Sequence, residues 1–334
     1  MEDISFSGPF APMCELFVAQ KRASGLLYFT QAKLLRQFDT FCTAYDVQGY
    51  TITEEIAREW YQRRPNEKDS SRRDRVQVLQ HFSEFLCCQG HPSYLFPVLP
   101  KRGENHEPYI FTKEELRSLF ARLDQLEPNN YSTGYLVFPI LFRTLYGCGL
   151  RISEALNLKK ADVDIRKGIL HIWQGKNNRE RMIPVSNSLH QMLTHYMAVA
   201  HAETDDQTSL FYAKTFTPYS KAAIHNQFKG FLWDVGITYR GKDFGPRLHD
   251  LRHTMVCHNI QGWAESGIPI SSRLPILSKY LGHKSVAATQ WYLRLSSEIY
   301  PHIREICEKE LSKFYNHLPY FESEVPIDAY SETN

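Results

Sequence analysis

Apolar positions recur at helical spacing along most of the chain. Leu34, Phe38, Phe41 and Tyr45 form one series and Val76, Leu79, Phe82 and Leu86 another, and each series gives a helix one face to bury against its neighbours. The first hundred residues therefore predict a small helical bundle. Between the two series runs Arg63-Arg64-Pro-Asn-Glu-Lys-Asp-Ser-Ser-Arg72-Arg73-Asp-Arg75, a basic connector opening a helix. It reads equally as a solvated loop and as a phosphate-contacting one.

From Phe96 to Phe111 the periodicity lapses, and Pro97, Pro100, Gly103 and Pro108 accompany several charges. Such a stretch marks a linker between domains. Thr112-Lys-Glu-Glu115 then has the spacing of a capping box, and Leu116, Leu119, Phe120 and Leu123 continue as an amphipathic helix. A further helix is expected through Leu136 to Leu145, stopped by Gly147 and Gly149, and a short one from Arg151 to Leu158. The period then changes: Ile169-Leu-His-Ile-Trp-Gln, the polar turn Gly175-Lys-Asn-Asn and Arg179-Glu-Arg-Met-Ile-Pro-Val185 read as two strands joined in a hairpin. Downstream the pattern is helical again through Ile306. The expected fold is mainly α with a small antiparallel β-hairpin or sheet. It divides into a helical domain over 1–100, a linker over 101–111, a larger domain over 112–310 and a tail over 311–334.

Composition narrows the class of protein. Hydrophobic residues are 43% and charged residues 23% of 334 positions, an ordinary globular balance that argues against a mainly disordered chain. The longest apolar run, Tyr135 to Phe142, contains Pro139 and is far shorter than the roughly 20 residues a membrane helix needs. No basic start followed by an apolar stretch marks a secretory signal. A soluble, cytoplasmic protein without a membrane partner is expected. The seven cysteines include no CxxC pair, so neither a disulfide framework nor a zinc knuckle is expected, and they read as reduced core residues. The net charge of +2 conceals an excess in 107–310, with 25 basic against 20 acidic residues. That permits nucleic-acid binding without by itself arguing for it.

Candidate chemistry lies in four separated segments of the second domain. In Gly147-Cys-Gly-Leu-Arg151-Ile-Ser-Glu154, Arg151 follows a glycine turn at a helix start, where its fork and free backbone N–H groups suit an anion, and Glu154 lies on the same face. Lys176 sits at the hairpin tip. His249-Asp-Leu-Arg252-His253 places His249 and Arg252 three apart on one helix face. Leu281-Gly-His283 is followed, nine residues after His283, by Tyr292. Taken singly, each segment is commonplace: turn lysines and helix-start arginines are usually solvated, and tyrosines usually pack.

Together and in this order, the contexts GLRxSE, strand-GK-turn-strand, HxLRH and LGHxxxxxTxxY closely resemble the catalytic domain of the tyrosine recombinases, the phage integrase family. The resemblance is specific from about Phe111 to Leu295, and the first hundred residues are similar in size and position to the family's core-binding domain. It implies that Arg151 and Arg252 hold a scissile DNA phosphate, that His283 adds a hydrogen bond and that Tyr292 is the nucleophile. Lys176 would protonate the leaving 5′ oxygen and Glu154 would support the geometry. His249 is expected as the base that takes the tyrosine proton. Arg63, Arg64, Arg72, Arg73 and Arg75 are candidate DNA contacts of the first domain.

The implied partners are double-stranded DNA bearing recombination sites, further copies of the chain in a tetramer, and accessory recombinases or DNA-bending proteins. No cofactor and no metal are expected, since arginines take the place of metal ions in such a site. Ile299 to Tyr315, with Ile303, Ile306, Leu311 and Phe314 near helical spacing, reads as a helix that docks on a neighbouring copy or within its own. Three features depart from the family pattern: a long stretch from Gly262 to Pro275, Arg294 where histidine is frequent, and Asn177 after the hairpin lysine. A type IB topoisomerase, which uses a similar residue set, and a non-catalytic DNA-binding relative are the competing readings.

Overall fold

The structure, a computed structural model, describes residues 4–101, 107–173, 180–241, 245–283, 285 and 287–315. The chain divides into two compact units, Met1–Asn105 and His106–Asn334, and the division lies inside the stretch where apolar periodicity lapses.

The first unit is built from α1 (Ala11–Ala23), α2 (Phe29–Phe41), α3 (Glu54–Tyr61) and α4 (Asp69–Cys88). Phe38, Val76, Leu79, Phe82 and Leu86 of the two apolar series are buried, and Leu34, Phe41 and Tyr45 pack half-buried around them. Phe10 joins the series, its ring 5.7 Å from Phe38 and 6.0 Å from Phe82. Thr53 caps α3 by accepting the Ile56 N–H at 3.3 Å.

Arg75 requires a correction: it is 2% exposed and turned inward, away from any phosphate. Its Nε and Nη2 donate to Oε1 and Oε2 of Glu67, each at 2.8 Å, and its remaining donors reach the carbonyls of Trp60 and Gln62 at the end of α3. This hydrogen bonding holds the Glu67 carboxyl below its ordinary range. A basic residue in a polar run becomes core because the chain returns Glu67 to meet it.

The second unit contains α5 (Lys113–Asp124), α6 (Gly134–Gly147), α7 (Ile152–Asn157), α8 (Asn187–Ala200), α9 (Lys221–Asp234), α10 (Asp250–Glu265), α11 (Ile270–Leu281), α12 (Ala287–Ile299) and α13 (Arg304–Tyr315). The capping box forms: Thr112 Oγ1 accepts the Glu115 N–H at 3.1 Å and Glu115 Oε2 accepts the Thr112 N–H at 2.8 Å. The strands β1 (Val163–Asp164), β2 (Ile169–Ile172) and β3 (Arg181–Pro184) make one antiparallel sheet in the order β1-β2-β3. Ile172 pairs with Arg181, and Leu170, Ile172 and Ile183 point into the core. The short β1 had no periodic signal and was not expected.

Two apolar clusters organise this unit. One gathers Phe111, Leu141, Phe142 and Phe228, and the other Val256, Leu274, Leu281 and Leu293. The long stretch before His283 is accommodated as the end of α10, a turn, and α11, which carries Pro275 inside it. The helix expected over 299–315 is interrupted: α12 stops at Ile299, Pro301–Ile303 form a 3-10 turn, and α13 follows. Ile303 and Cys307 are buried in the unit's own core, and Glu310 accepts the Ser271 N–H at 2.7 Å. α13 continues past Glu310, so the folded domain extends into the segment read as tail, of which 316–334 lie outside the described residues. Five cysteines are buried, whereas Cys87 and Cys88 at the end of α4 are exposed, contrary to the expectation of core thiols. Among the described residues no helix is long and apolar enough to cross a membrane.

Candidate active site

Arg151 is the N-cap of α7, with an extended backbone (φ −71, ψ 147) that turns its side chain off the helix start. Glu154, one turn on, accepts the Arg151 backbone N–H at 3.0 Å through Oε2 and Nη1 at 2.9 Å through Oε1. A second guanidinium shares the carboxylate. Arg181 Nη1 reaches Oε1 at 3.0 Å and Nη2 reaches Oε2 at 2.7 Å, while its Nε donates to the Tyr280 carbonyl at 3.0 Å. Burial alone would raise the Glu154 carboxyl, but hydrogen bonds and charge from Arg181, then charge from Arg151, outweigh it and hold the pKa at about 2.

Arg252, near the start of α10, is fully buried. Nη1 donates to the Gly149 carbonyl at 2.6 Å, and Nη2 lies 2.9 Å from the Leu281 carbonyl and 3.0 Å from His283 Nε2. The approach depends on Gly149. At φ +58 the backbone favours glycine, and an added Cβ would also fall 2.2 Å from Met255 Cε, the end of a side chain that would have to move aside. Because a guanidinium only donates, His283 Nε2 is the acceptor in this contact, and the ring proton sits on Nδ1, 2.8 Å from Thr289 Oγ1.

Tyr292 on α12 is 4% exposed. Its ring lies parallel to that of His283, 5° apart in plane with centroids 6.3 Å apart. Its hydroxyl is 2.9 Å from His253 Nδ1. The sequence had assigned the tyrosine proton to His249. The structure places His253 Nδ1 at the hydroxyl and packs the His249 ring against the His253 ring, at 88° with centroids 4.7 Å apart. The two histidines lie four apart, so α10 presents both on one face with Arg252 beside them. Just ahead, buried Asp250 accepts the Arg247 N–H at 2.7 Å, yet burial dominates and raises its carboxyl to about 6.

Thus Arg151, Glu154, Arg252, His283 and Tyr292 are linked through the contacts of one neighbourhood, and His249 adjoins it through His253. Lys176 lies outside the described residues. Two further residues belong here that sequence reasoning did not assign. His253 stood inside the HxLRH segment at helical spacing from His249, which was an available signal; Arg181 gave none, because a strand arginine beside a turn ordinarily faces solvent.

The first-unit arginines differ among themselves. Arg63 is 56% exposed and pairs with Asp69 at 3.1 Å, and Arg64 is exposed with its guanidinium over the Trp60 ring. Arg72 and Arg73 are half-buried and donate to the carbonyls of Tyr61 and Pro100.

Residues 110–298 match the phage integrase family. The integrase/recombinase y4rB of Sinorhizobium fredii is 31% identical over 301 residues, covering 87% of this chain and 94% of that protein. Among solved structures, the XerH site-specific recombinase in its post-cleavage complex with palindromic difH substrate superposes with a TM-score of 0.60 at 18% identity, covering 84% of this chain and 79% of that one. The Tn1549 transposon integrase in complex with transposon right end DNA gives a TM-score of 0.60 at 14% identity, covering 86% and 99%. These two share the fold.

Proposed function

The chain belongs to the phage integrase family of tyrosine recombinases, and from that membership we propose that it cuts and rejoins double-stranded DNA at specific sites through a 3′-phosphotyrosyl bond to Tyr292. The observation that carries this reading is the junction at Arg252, whose guanidinium meets the Gly149 turn, the Leu281 carbonyl and His283 while Tyr292 lies parallel to that histidine.

A phosphodiester repels nucleophiles, so the work consists of aligning an in-line attack and stabilising charge on the non-bridging oxygens. Arg151 and Arg252 hold those oxygens, with His283 beside them. A phenol of ordinary pKa about 10 attacks poorly until its proton has an acceptor. His253, already at the hydroxyl, takes the role first assigned to His249. The phenolic oxygen bonds to phosphorus, the bond to the 5′ oxygen breaks, and Lys176 protonates that oxygen, as the resemblance implies. The phosphotyrosyl bond retains the energy of the phosphodiester, so a second 5′ hydroxyl reverses the step without ATP or metal. Arg252 is fully buried and Tyr292 nearly so, so both must become accessible when DNA binds, which couples assembly of the site to DNA binding.

Exchange of all strands requires four active sites, hence a tetramer on two DNA sites in the cytoplasm, with accessory proteins where the sites demand them. The helical first unit serves as the core-binding domain and the second as the catalytic domain. Integration, excision or transposition of a mobile element is the role favoured by the long stretch between Arg252 and His283.

To test this, wild-type and Tyr292→Phe proteins are incubated with fragmented DNA of the source genome, denatured in detergent, and the DNA that stays attached is sequenced. Tyr292-dependent attachment at one or a few sites, at the ends of an element, is expected. Scattered attachment would favour a topoisomerase, and adducts formed by Tyr292→Phe would remove the nucleophile assignment.

A further inference from the structure

Arg181 lies in the second strand of the strand-GK-turn-strand segment, where the resemblance assigns it no role, yet its side chain touches two of the other segments. It opens β3, the strand that follows residues 174–179, and its side chain is 9% exposed. Two nitrogens grip both oxygens of Glu154, the carboxylate that also holds Arg151 by its backbone N–H and by Nη1. The third nitrogen donates to the Tyr280 carbonyl, three residues before His283. Gly282, the left-handed cap of α11 at φ +71, completes the fit: a Cβ there would lie 3.1 Å from Arg181 Nη1. One planar group thus spans the sheet, the start of α7 and the end of α11.

We propose that Arg181 is a positioning residue that sets Arg151, through Glu154, and the His283 segment, through the Tyr280 carbonyl, in one frame. The inference rests on the reading of the site given above. Stability alone is a poor account of the cluster, because desolvating buried charges offsets much of their attraction and an apolar group of similar volume would often serve as well. What an apolar group cannot do is fix the orientation of a carboxylate that in turn orients a second guanidinium. Lysine would substitute only in part, since a single ammonium cannot engage both carboxylate oxygens and a carbonyl in one plane.

The test uses the full chain and a duplex bearing a site recovered by Tyr292-dependent attachment, prepared with either an ordinary or a methylphosphonate scissile group. The methylphosphonate is neutral and asks less of Arg151. Single-turnover attachment is measured for wild type, R181M, R181K, E154Q and R181M/E154Q, below the melting onset of each. R181M should slow attachment to the ordinary duplex roughly a hundredfold with DNA retention unchanged, the loss expected from a small misplacement of a reacting group. R181K should recover part of that, and the double variant should be no slower than the slower single one, since both act through one carboxylate. On the methylphosphonate duplex the loss should shrink to a few-fold. Equal losses on both duplexes, or additive losses in the double variant, would reduce Arg181 to a packing residue. Should R181M not fold, R181K at the wild-type rate would overturn the proposal. Wild-type protein that attaches to no DNA would instead refute the proposed function itself.

Discussion

Each unit buries an arginine against a glutamate, and the two arrangements differ in stoichiometry. In the first unit Glu67 and Arg75 pair one to one, and the spare donors of Arg75 close the end of α3 on the Trp60 and Gln62 carbonyls. The charge is cancelled within the fold, and the pair serves the fold. In the second unit one carboxylate, Glu154, lies between two guanidiniums, Arg151 and Arg181. Two guanidiniums against one carboxylate leave the trio itself one positive charge in excess at the start of α7. The same side-chain chemistry therefore closes a structure in one place and, on the proposed function, serves a phosphate site in the other, and the ratio of charges distinguishes the two.

Breaking the first pair should have the largest effect on stability. Arg75→Met strands a buried carboxylate and should cost roughly 3–5 kcal/mol in denaturant unfolding, while attachment per folded molecule stays near wild type. Arg151→Ala should do the reverse. Glu154 keeps Arg181, so unfolding changes little, but transition-state stabilisation falls by about 3–4 kcal/mol, as for loss of an oxyanion-hole donor, read as single-turnover attachment rate.

The pH response sharpens the contrast. Glu154 sits at about 2, below its ordinary 4.5, so its stabilisation is full above 4.5 and is lost as pH falls toward 2. Asp250 sits at about 6, above its ordinary 3.8, so the folded chain binds the proton more tightly and stability declines as pH rises from 3.8 to about 6. Asp250→Asn should therefore raise stability at neutral pH by about 1–3 kcal/mol, with no gain near pH 3, in melts across that range. The smallest effect belongs to the exposed arginines: Arg63→Ala and Arg64→Ala should each lower the slope of log binding constant against log salt by about 1. An unchanged slope would remove them as phosphate contacts.

Much of this arrangement was legible in the chain because it is local. The capping box at Thr112, the helical series around Phe38 and Phe82, and the β2–β3 pairing follow from spacing within a few residues. Arg151, Arg252, His283 and Tyr292 were legible as segments in order, although what each touches was not. The two-residue β1 is too short to show alternation, and the break before α13 follows from Pro301, which interrupts the helix without interrupting the apolar series. Arg75 and Arg181 were misread or missed for one reason: the burial of a charged side chain depends on which carboxylate the fold returns to it, and neither Glu67 nor Glu154 announces its partner. His253 shows the finer limit, since helical spacing puts two histidines on one face without saying which meets the tyrosine.

On the proposed function, Tyr292 becomes joined to DNA through a 3′ phosphate. The most direct measurement digests the covalent complex with nuclease and protease and reads, by mass spectrometry, the peptide that retains a nucleotide. A nucleotide linked through its 3′ phosphate to Tyr292 is the predicted result. A nucleotide on another residue, or one linked through a 5′ phosphate, would contradict it.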